Sequence, residues 1–326
     1  MRFVIYGAGA IGGVIGGRLF EAGHDVTLVA RGVHGHALSQ DGLELVSPVG
    51  SVKLPIPTVG HPSEFDWSDG GGDRVVLLAV KSQDTATAVD TLAASAPPQT
   101  AVVCAQNGVE NERAALRSFA DVYAMTVMCP ATHLDPGRVL AHSAPVAGLL
   151  DLGRYPAGVN WRAEAIAEAL RESSFSSEAR TDILRWKYRK LVLNLANAVI
   201  ALCGPSEGVR PLLDVVWAEG EACLAAAGID LASRDEDRAR RGDLLTVRPV
   251  AGIERPGGSS WQSLARGTGH IEADYLNGEI VLLGRLHGVP TPGNQLLQRL
   301  ANEAARNHQP PGHLTVDEIL TQLDRG

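Results

Sequence analysis

RFVIYGAGAIGGVIGGRLFEAGHDVTLVAR, residues 2–31, decides the fold. Arg2 to Tyr6 is short, apolar and rich in β-branched and aromatic residues, which predicts a strand. Gly7 to Gly12 predicts a turn, Ala10 to Ala22 carries helical spacing, Gly23 stops it, and Asp25 to Ala30 predicts a second strand. Gly7, Gly9 and Gly12 fit G-x-G-x-x-G at the place where its mechanism operates, after a strand and at the start of a helix. Gly7 permits the tight turn, Gly9 lets the backbone approach a pyrophosphate, and Gly12 lets helix and strand pack closely. The unpaired amides of the first helical turn, around Ala10 and Ile11, face the anion. A glycine turn that only packs would satisfy the motif alone, but the strand-turn-helix-strand context points to a dinucleotide.

Nineteen residues after Gly12, at the end of the second strand, an NAD site would place an acid on the ribose 2′-hydroxyl; this chain has Arg31. A guanidinium there pairs with a 2′-phosphate, so NADP is the expected cofactor, against the plainer reading of a solvated loop arginine. Further apolar runs at Val75 to Val80, Ala101 to Ala105 and Val122 to Val127 alternate with helical stretches at Thr85 to Ala94 and Asn111 to Phe119. That alternation predicts an α/β fold, a doubly wound parallel sheet covered on both faces. Two of these runs end in polar residues, Lys81 and Gln106-Asn107-Gly108, at the carboxyl edge where such sheets bind ligands. An ordinary exposed strand terminus is the alternative for Lys81.

The pattern then shifts. Short strands are expected at Val139 to Ala141 and Gly148 to Leu152, with a helix from about Trp161 to Glu172 and a short stretch around Phe175 to Ala179. From Thr181 the periodic segments are helical: Ile183 to Cys203, Leu212 to Ala227, Ile271 to His287 and Gln295 to Arg306. Two domains follow, 1–180 for the dinucleotide and 181–326 helical, with Arg241 to Ser260 read as a loop on its prolines and paired glycines. The length of 326 residues suits two such domains.

Composition narrows the class. The 29 Lys and Arg against 37 Asp and Glu give a net charge of −8, which offers no broad basic surface, so no nucleic-acid partner is expected. Four scattered cysteines without a C-x-x-C pair are expected as free thiols in a reducing cytoplasm. Residues 3–17 form an apolar run, but six glycines within it argue against a secretory or membrane segment. His34 and His36 have no acid or cysteine at ligand spacing, so no metal is expected and both read as solvated loop histidines.

The helix from Ile183 is apolar on nearly every side from Leu191 onward, yet Asn194 and Asn197 interrupt it. At helical spacing Lys190, Asn194 and Asn197 fall within about 60° of one another. Burying such groups unpaired costs several kcal/mol, about 1–3 kcal/mol each, so they are expected to line a polar cleft or meet a ligand. The alternative is a basic helical turn around Arg180, Arg185, Lys187 and Arg189 with both asparagines bonded to nearby backbone. Glu272, on a partly apolar helical face with Leu276 and Leu283, is either a solvated edge residue or a ligand-facing carboxylate.

Taken in order, Gly7-Ala8-Gly9-Ala10-Ile11-Gly12-Gly13, Arg31, Ala79-Val80-Lys81, Gln106-Asn107-Gly108-Val109-Glu110-Asn111, Lys190-Leu191-Val192-Leu193-Asn194, Ser259-Ser260 and Ile271 to Gly278, continuing to His287-Gly288-Val289-Pro290-Thr291-Pro292, resemble the ketopantoate reductase family over nearly the whole chain. The resemblance implies a cytoplasmic NADPH-dependent reductase of pantothenate biosynthesis, with a Rossmann domain followed by a helical domain of the 6-phosphogluconate dehydrogenase type. It implies Arg31 at the 2′-phosphate, Lys81 and Asn107 at the cofactor, and Lys190 as general acid. Asn107, Asn194, Asn197, Ser260 and Glu272 are the expected substrate contacts. The partner implied is a small 2-oxo acid, with no membrane and with a homodimer left open. Two departures bear on substrate: the family sets a second Asn where Ala198 stands, and a Gln where Ser263 stands. Reduction of another 2-oxo acid or an opine-like imine is the enzymatic alternative, and a non-catalytic dinucleotide sensor the other; a sensor would not need Lys190, Asn194 and Glu272.

Overall fold

The computed structural model describes residues 1–68, 74–205, 207–255 and 257–325. The chain runs β1 (Arg2–Tyr6), α1 (Ala10–Glu21), β2 (Asp25–Val29), α2 (Gly32–Asp41), β3 (Leu43–Ser47), β4 (Gly50–Leu54), β5 (Thr58–Val59), β6 (Arg74–Leu78), α3 (Thr85–Ala93), β7 (Ala101–Cys104), α4 (Asn111–Leu116) and β8 (Val122–Met125). Then follow β9 (Ala131–Thr132), β10 (Arg138–Ala141), β11 (Ser143–Pro145), β12 (Gly148–Leu149), β13 (Leu152–Arg154), α5 (Trp161–Glu172) and β14 (Phe175–Ser176). The main sheet has the order β13-β8-β7-β6-β1-β2-β5, with every pair parallel except β13 on β8. Strand order reverses at β1 and β6, which makes their carboxyl ends the topological switch point.

Alternation along β1 divides the core. Phe3 and Ile5 join Ile15, Leu19 and Ile166 on one face, while Val4 joins Val76, Leu78, Val89 and Leu92 on the other. Both faces of a parallel strand must be covered, and the apolar run in the sequence meets that requirement. A smaller sheet, β4-β3-β10-β9, lies against α1. Its Leu43, Leu45 and Leu54 come within 3.2 to 3.5 Å of the point a Cβ on Gly17 would take, so the glycines of α1 let sheet and helix approach. The strand expected at Gly148 to Leu152 is two pieces, because β12 pairs with β14 while β13 turns to pair with β8.

The second half supplies α6 (Ile183–Asn194), α7 (Ala196–Cys203), α8 (Arg210–Ala226), α9 (Arg234–Arg241), β15 (Leu245–Val247), α10 (Ser259–Ala265), α11 (Asn277–His287), α12 (Pro292–Arg306) and α13 (Val316–Asp324). Two compact units result: residues 1–184 with 235–255, and residues 185–234 with the described residues from 257 onward. Residues 235–255 therefore depart from the expected boundary at 180 and from the expected loop. They return to the first unit because β15 pairs with β11 and because Arg240 bonds both oxygens of Asp151, at 2.5 and 2.9 Å. Among its described residues the second unit is built from helices and 3-10 turns alone.

Two of the expected helices are also corrected. The segment from Ile183 to Cys203 breaks at Leu195, whose N–H reaches back to the Val192 carbonyl at 3.2 Å and whose carbonyl accepts from Asn277 Nδ2 at 3.4 Å. Leu195 also fills the space of an absent side chain, since a Cβ on Gly220 would lie 2.8 Å from its Cδ1. The segment from Ile271 starts as a 3-10 turn over Glu272–Tyr275, and the helix proper begins at Asn277. No helix among the described residues is long and apolar enough to cross a membrane.

Candidate functional site

At the switch point each glycine of the motif meets a different demand. Gly7 has φ +102°, and a Cβ on it would lie 2.8 Å from the Val80 nitrogen, so the turn admits only glycine there. A Cβ on Gly12 would lie 2.1 Å from the Gly7 carbonyl oxygen. Gly9 is different. Its missing Cβ would meet nothing closer than His133 Nδ1 at 4.0 Å, which leaves open backbone at the start of α1. Packing explains Gly7 and Gly12; it makes no demand for glycine at Gly9. The first turn of α1 carries no side-chain cap, so the amides at Ala10 and Ile11 remain available to a phosphate.

A pocket of about 480 Å³ opens beside this turn, lined by Gly7, Ala8, Arg31, His61, Asp84 and Thr91 among others. Arg31 is exposed, precedes α2 and lies on that wall. His34 also lines it and corrects the expectation of solvated loop histidines. It sits in α2, its Nε2 lies 2.8 Å from the Ala8 carbonyl, its Nδ1 accepts from the Gly137 amide at 3.0 Å, and burial lowers its pKa. His36 is on the same helix, on its exposed side.

The carboxyl ends of β6 and β7 are braced together. Leu78 pairs with Cys104, so Lys81 and Asn107 each follow three residues beyond one paired position. Ser82 Oγ donates to the Asn107 carbonyl at 3.3 Å, and Asn111 Nδ2 donates to the same carbonyl at 2.8 Å. Gln106 turns inward, donating to the Val80 carbonyl at 2.9 Å and to Thr85 Oγ1 at 2.8 Å. The two loops thus present Lys81 and Asn107 from one fixed edge.

In the helical unit Asn194, Ser260 and Glu272 are buried, with 4%, 3% and 4% of their surface exposed, while Lys190 is half-buried. Lys190 and Asn194 share α6, and Asn197 stands on α7 beyond the break at Leu195, whose dihedrals of φ −58° and ψ −27° remain helical. Asn197 faces the start of α10: its Oδ1 lies 3.3 Å from where a Cβ on Gly258 would be. Because α10 packs on α7, the serines at its start are near Asn197. Glu272 stands within electrostatic reach of the Arg266 guanidinium. Of the nearby basic residues, Arg189 is committed elsewhere, to Glu221 at 3.0 Å and the Ala232 carbonyl at 2.5 Å.

Sequence reasoning passed over two groups. Ser259 Oγ is buried with no hydrogen-bond partner, although its pairing with Ser260 in the sequence was visible. His61 on the pocket wall follows β5, a two-residue strand too short to leave a periodic signal. The cysteines are free, and burial pushes the Cys129 thiol up to about 12, which removes it from thiolate chemistry at neutral pH.

Residues 3–156 match the family model for ketopantoate reductase PanE/ApbA, and residues 182–305 match the model for its C-terminal domain. A 2-dehydropantoate 2-reductase of Archaeoglobus fulgidus is 30% identical over 309 residues, covering 92% of this chain and 96% of its own. That of Pyrococcus horikoshii is 28% identical over 310 residues, with 92% and 96% covered. The crystal structure of a PanE/ApbA family ketopantoate reductase from Ralstonia eutropha JMP134 superposes with a TM-score of 0.78 at 30% identity, covering 95% of this chain and 100% of that one. A ternary structure of D-mandelate dehydrogenase with NADH and anilino(oxo)acetate has a TM-score of 0.80 at 23% identity over 95% and 100% of the two chains, and shares the fold. With both of its parts matched and a 30% identical relative aligned over almost its full length, this chain belongs to the ketopantoate reductase PanE/ApbA family.

Proposed function

We propose that this protein reduces a 2-oxo acid with NADPH and that its substrate is 2-dehydropantoate. The observation that carries the reading is the set of buried polar groups in the helical unit: Asn194 on α6 with Lys190, Ser260 on α10, which packs on the α7 that bears Asn197, and Glu272 in the 3-10 turn before α11. Burying polar and charged groups among apolar helices is costly, and groups gathered there supply the donors and acceptors that a small polar substrate needs. The relatives named 2-dehydropantoate 2-reductase, aligned over nearly their full length, support the choice of substrate.

The first unit is the dinucleotide-binding body and the second the substrate-binding one. Backbone at Gly7, Gly9, Ala10, Ile11 and Gly12 holds the pyrophosphate, Arg31 the 2′-phosphate, and Lys81 and Asn107 the rest of the cofactor. Bound NADPH supplies a hydride for the C2 carbonyl carbon of the substrate. Lys190, protonated, stabilises the negative charge that develops on the carbonyl oxygen and donates the proton to it, a role worth ~10²–10⁴-fold. Asn194 and Ser260 hold the carboxylate, Glu272 accepts from the substrate hydroxyl, and Asn107 and Asn197 complete the contacts, so that their contribution is orientation. Oxidation of NADPH against a panel of 2-oxo acids that includes 2-dehydropantoate tests the reading; a panel with no turnover contradicts it.

Cofactor choice has its own test. Arg31→Ala is expected to weaken NADPH binding by roughly 1.5–3 kcal/mol, the worth of a charge-assisted pair, and to leave NADH nearly untouched. Titration of both dinucleotides checks it, and equal affinities in the unaltered protein contradict it. A second reading, reduction of a different 2-oxo acid, is favoured by Ala198, which is buried and apolar at the position where the resemblance implies an asparagine.

A further inference from the structure

The register between β2 and β5 carries a consequence for the pocket wall. Val29 pairs with Val59, and the Ala30 amide donates to the Val59 carbonyl at 3.0 Å, so the two parallel strands remain adjacent one residue beyond the pair. Arg31 and His61 each stand two residues beyond that pair, leaving strands that run about 4.8 Å apart where they end. Both line the same pocket.

The tautomer of His61 follows from its partners. Its Nδ1 accepts from the Ser63 amide at 3.2 Å and lies 2.8 Å from Ser63 Oγ, as the cap of a 3-10 turn over Pro62–Glu64. An Nδ1 that accepts from a backbone N–H carries no hydrogen, so the ring hydrogen of neutral His61 is on Nε2, at the opposite edge. Capping therefore uses one edge of the ring and leaves the donor edge unengaged. A phosphomonoester brings a charge of about −1.5 to −2, which one guanidinium does not balance. Asp84 lines the same pocket and adds to the negative side. Glu64 is turned to the Gly60 amide, which it accepts at 3.0 Å.

We propose that His61 is a second ligand of the cofactor's 2′-phosphate, donating from Nε2 beside Arg31. This inference rests on the NADPH reading above and adds a specificity-determining residue to it. His61→Ala removes the cap of the turn as well as the donor, so the decisive variant is His61→Asn, whose Oδ1 can still accept from Ser63 while its shorter side chain withdraws from the pocket. NADPH and NADH are titrated into the unaltered protein, His61→Asn, His61→Ala and Arg31→Ala. NADPH is expected to weaken about 5- to 20-fold in both His61 variants, with NADH affected no more than about twofold. Unchanged NADPH affinity in His61→Asn, or equal weakening of NADPH and NADH, overturns the assignment of His61 while a selective loss in Arg31→Ala preserves the parent reading. Equal affinity of the unaltered protein for the two dinucleotides overturns both.

Discussion

Lys190→Ala is expected to lower kcat by at least ~10²-fold while leaving NADPH affinity nearly intact. The group is assigned to the proton and not to the glycine loop, so its loss falls on the chemical step. Lys187, about 60° around the same helix, is the rival, and only 3% of it is exposed. Its burial suits a structural role. Single-turnover rates for Lys190→Ala and Lys187→Ala separate the two: inactivation by the second with an unchanged rate in the first would reverse their roles.

A second large effect is expected in the first unit, away from any reacting group. Asp151 is 4% exposed and accepts from Arg240 through both oxygens, from Arg180 Nε at 2.8 Å and from the Glu178 amide at 3.0 Å. Removing this carboxylate leaves two largely buried guanidinium groups with only the half-exposed Glu178, at 2.7 Å from Arg180 and 3.4 Å from Arg240, as shared counter-charge, and breaking such a set costs up to about 3–5 kcal/mol. Asp151→Ala should therefore lower the urea midpoint markedly and open residues 235–255 to protease, because Arg240 helps tie that segment to the unit. A loss below about 1 kcal/mol with no new cleavage would contradict this account.

That segment also shows what the sequence could not carry. RDEDRARR, residues 234–241, is polar on every side, so no apolar stripe marks α9 or says what it packs against. Its position is fixed by ion pairs of Arg240 with Asp151 and Glu178, far back along the chain, a relation without periodicity. Opposite conditions hold at β1, where Phe3, Val4 and Ile5 had to be buried on both faces and the glycines allow few other turns. The main strands β1, β2, β6, β7 and β8 and the helices α1, α3 and α5 were legible for that reason. The Arg31 side of the site was legible because it follows a long strand, whereas His61 follows a two-residue one. On α6 and α7 the polar residues could be read but the break between them could not, since the groups that meet Leu195 there, Gly220 and Asn277, lie far along the chain.

The substrate assignment is tested most directly by kcat/KM for 2-dehydropantoate against a 2-oxo acid that lacks the hydroxyl, in the unaltered protein and in Glu272→Ala. Glu272 is assigned to the substrate hydroxyl, and a buried polar group left unpaired costs ~1–3 kcal/mol, enough for ten- to hundredfold discrimination. The unaltered protein is expected to prefer 2-dehydropantoate by that factor, and Glu272→Ala to lose the preference. A better rate with the hydroxyl-free acid in the unaltered protein would contradict the assignment of 2-dehydropantoate.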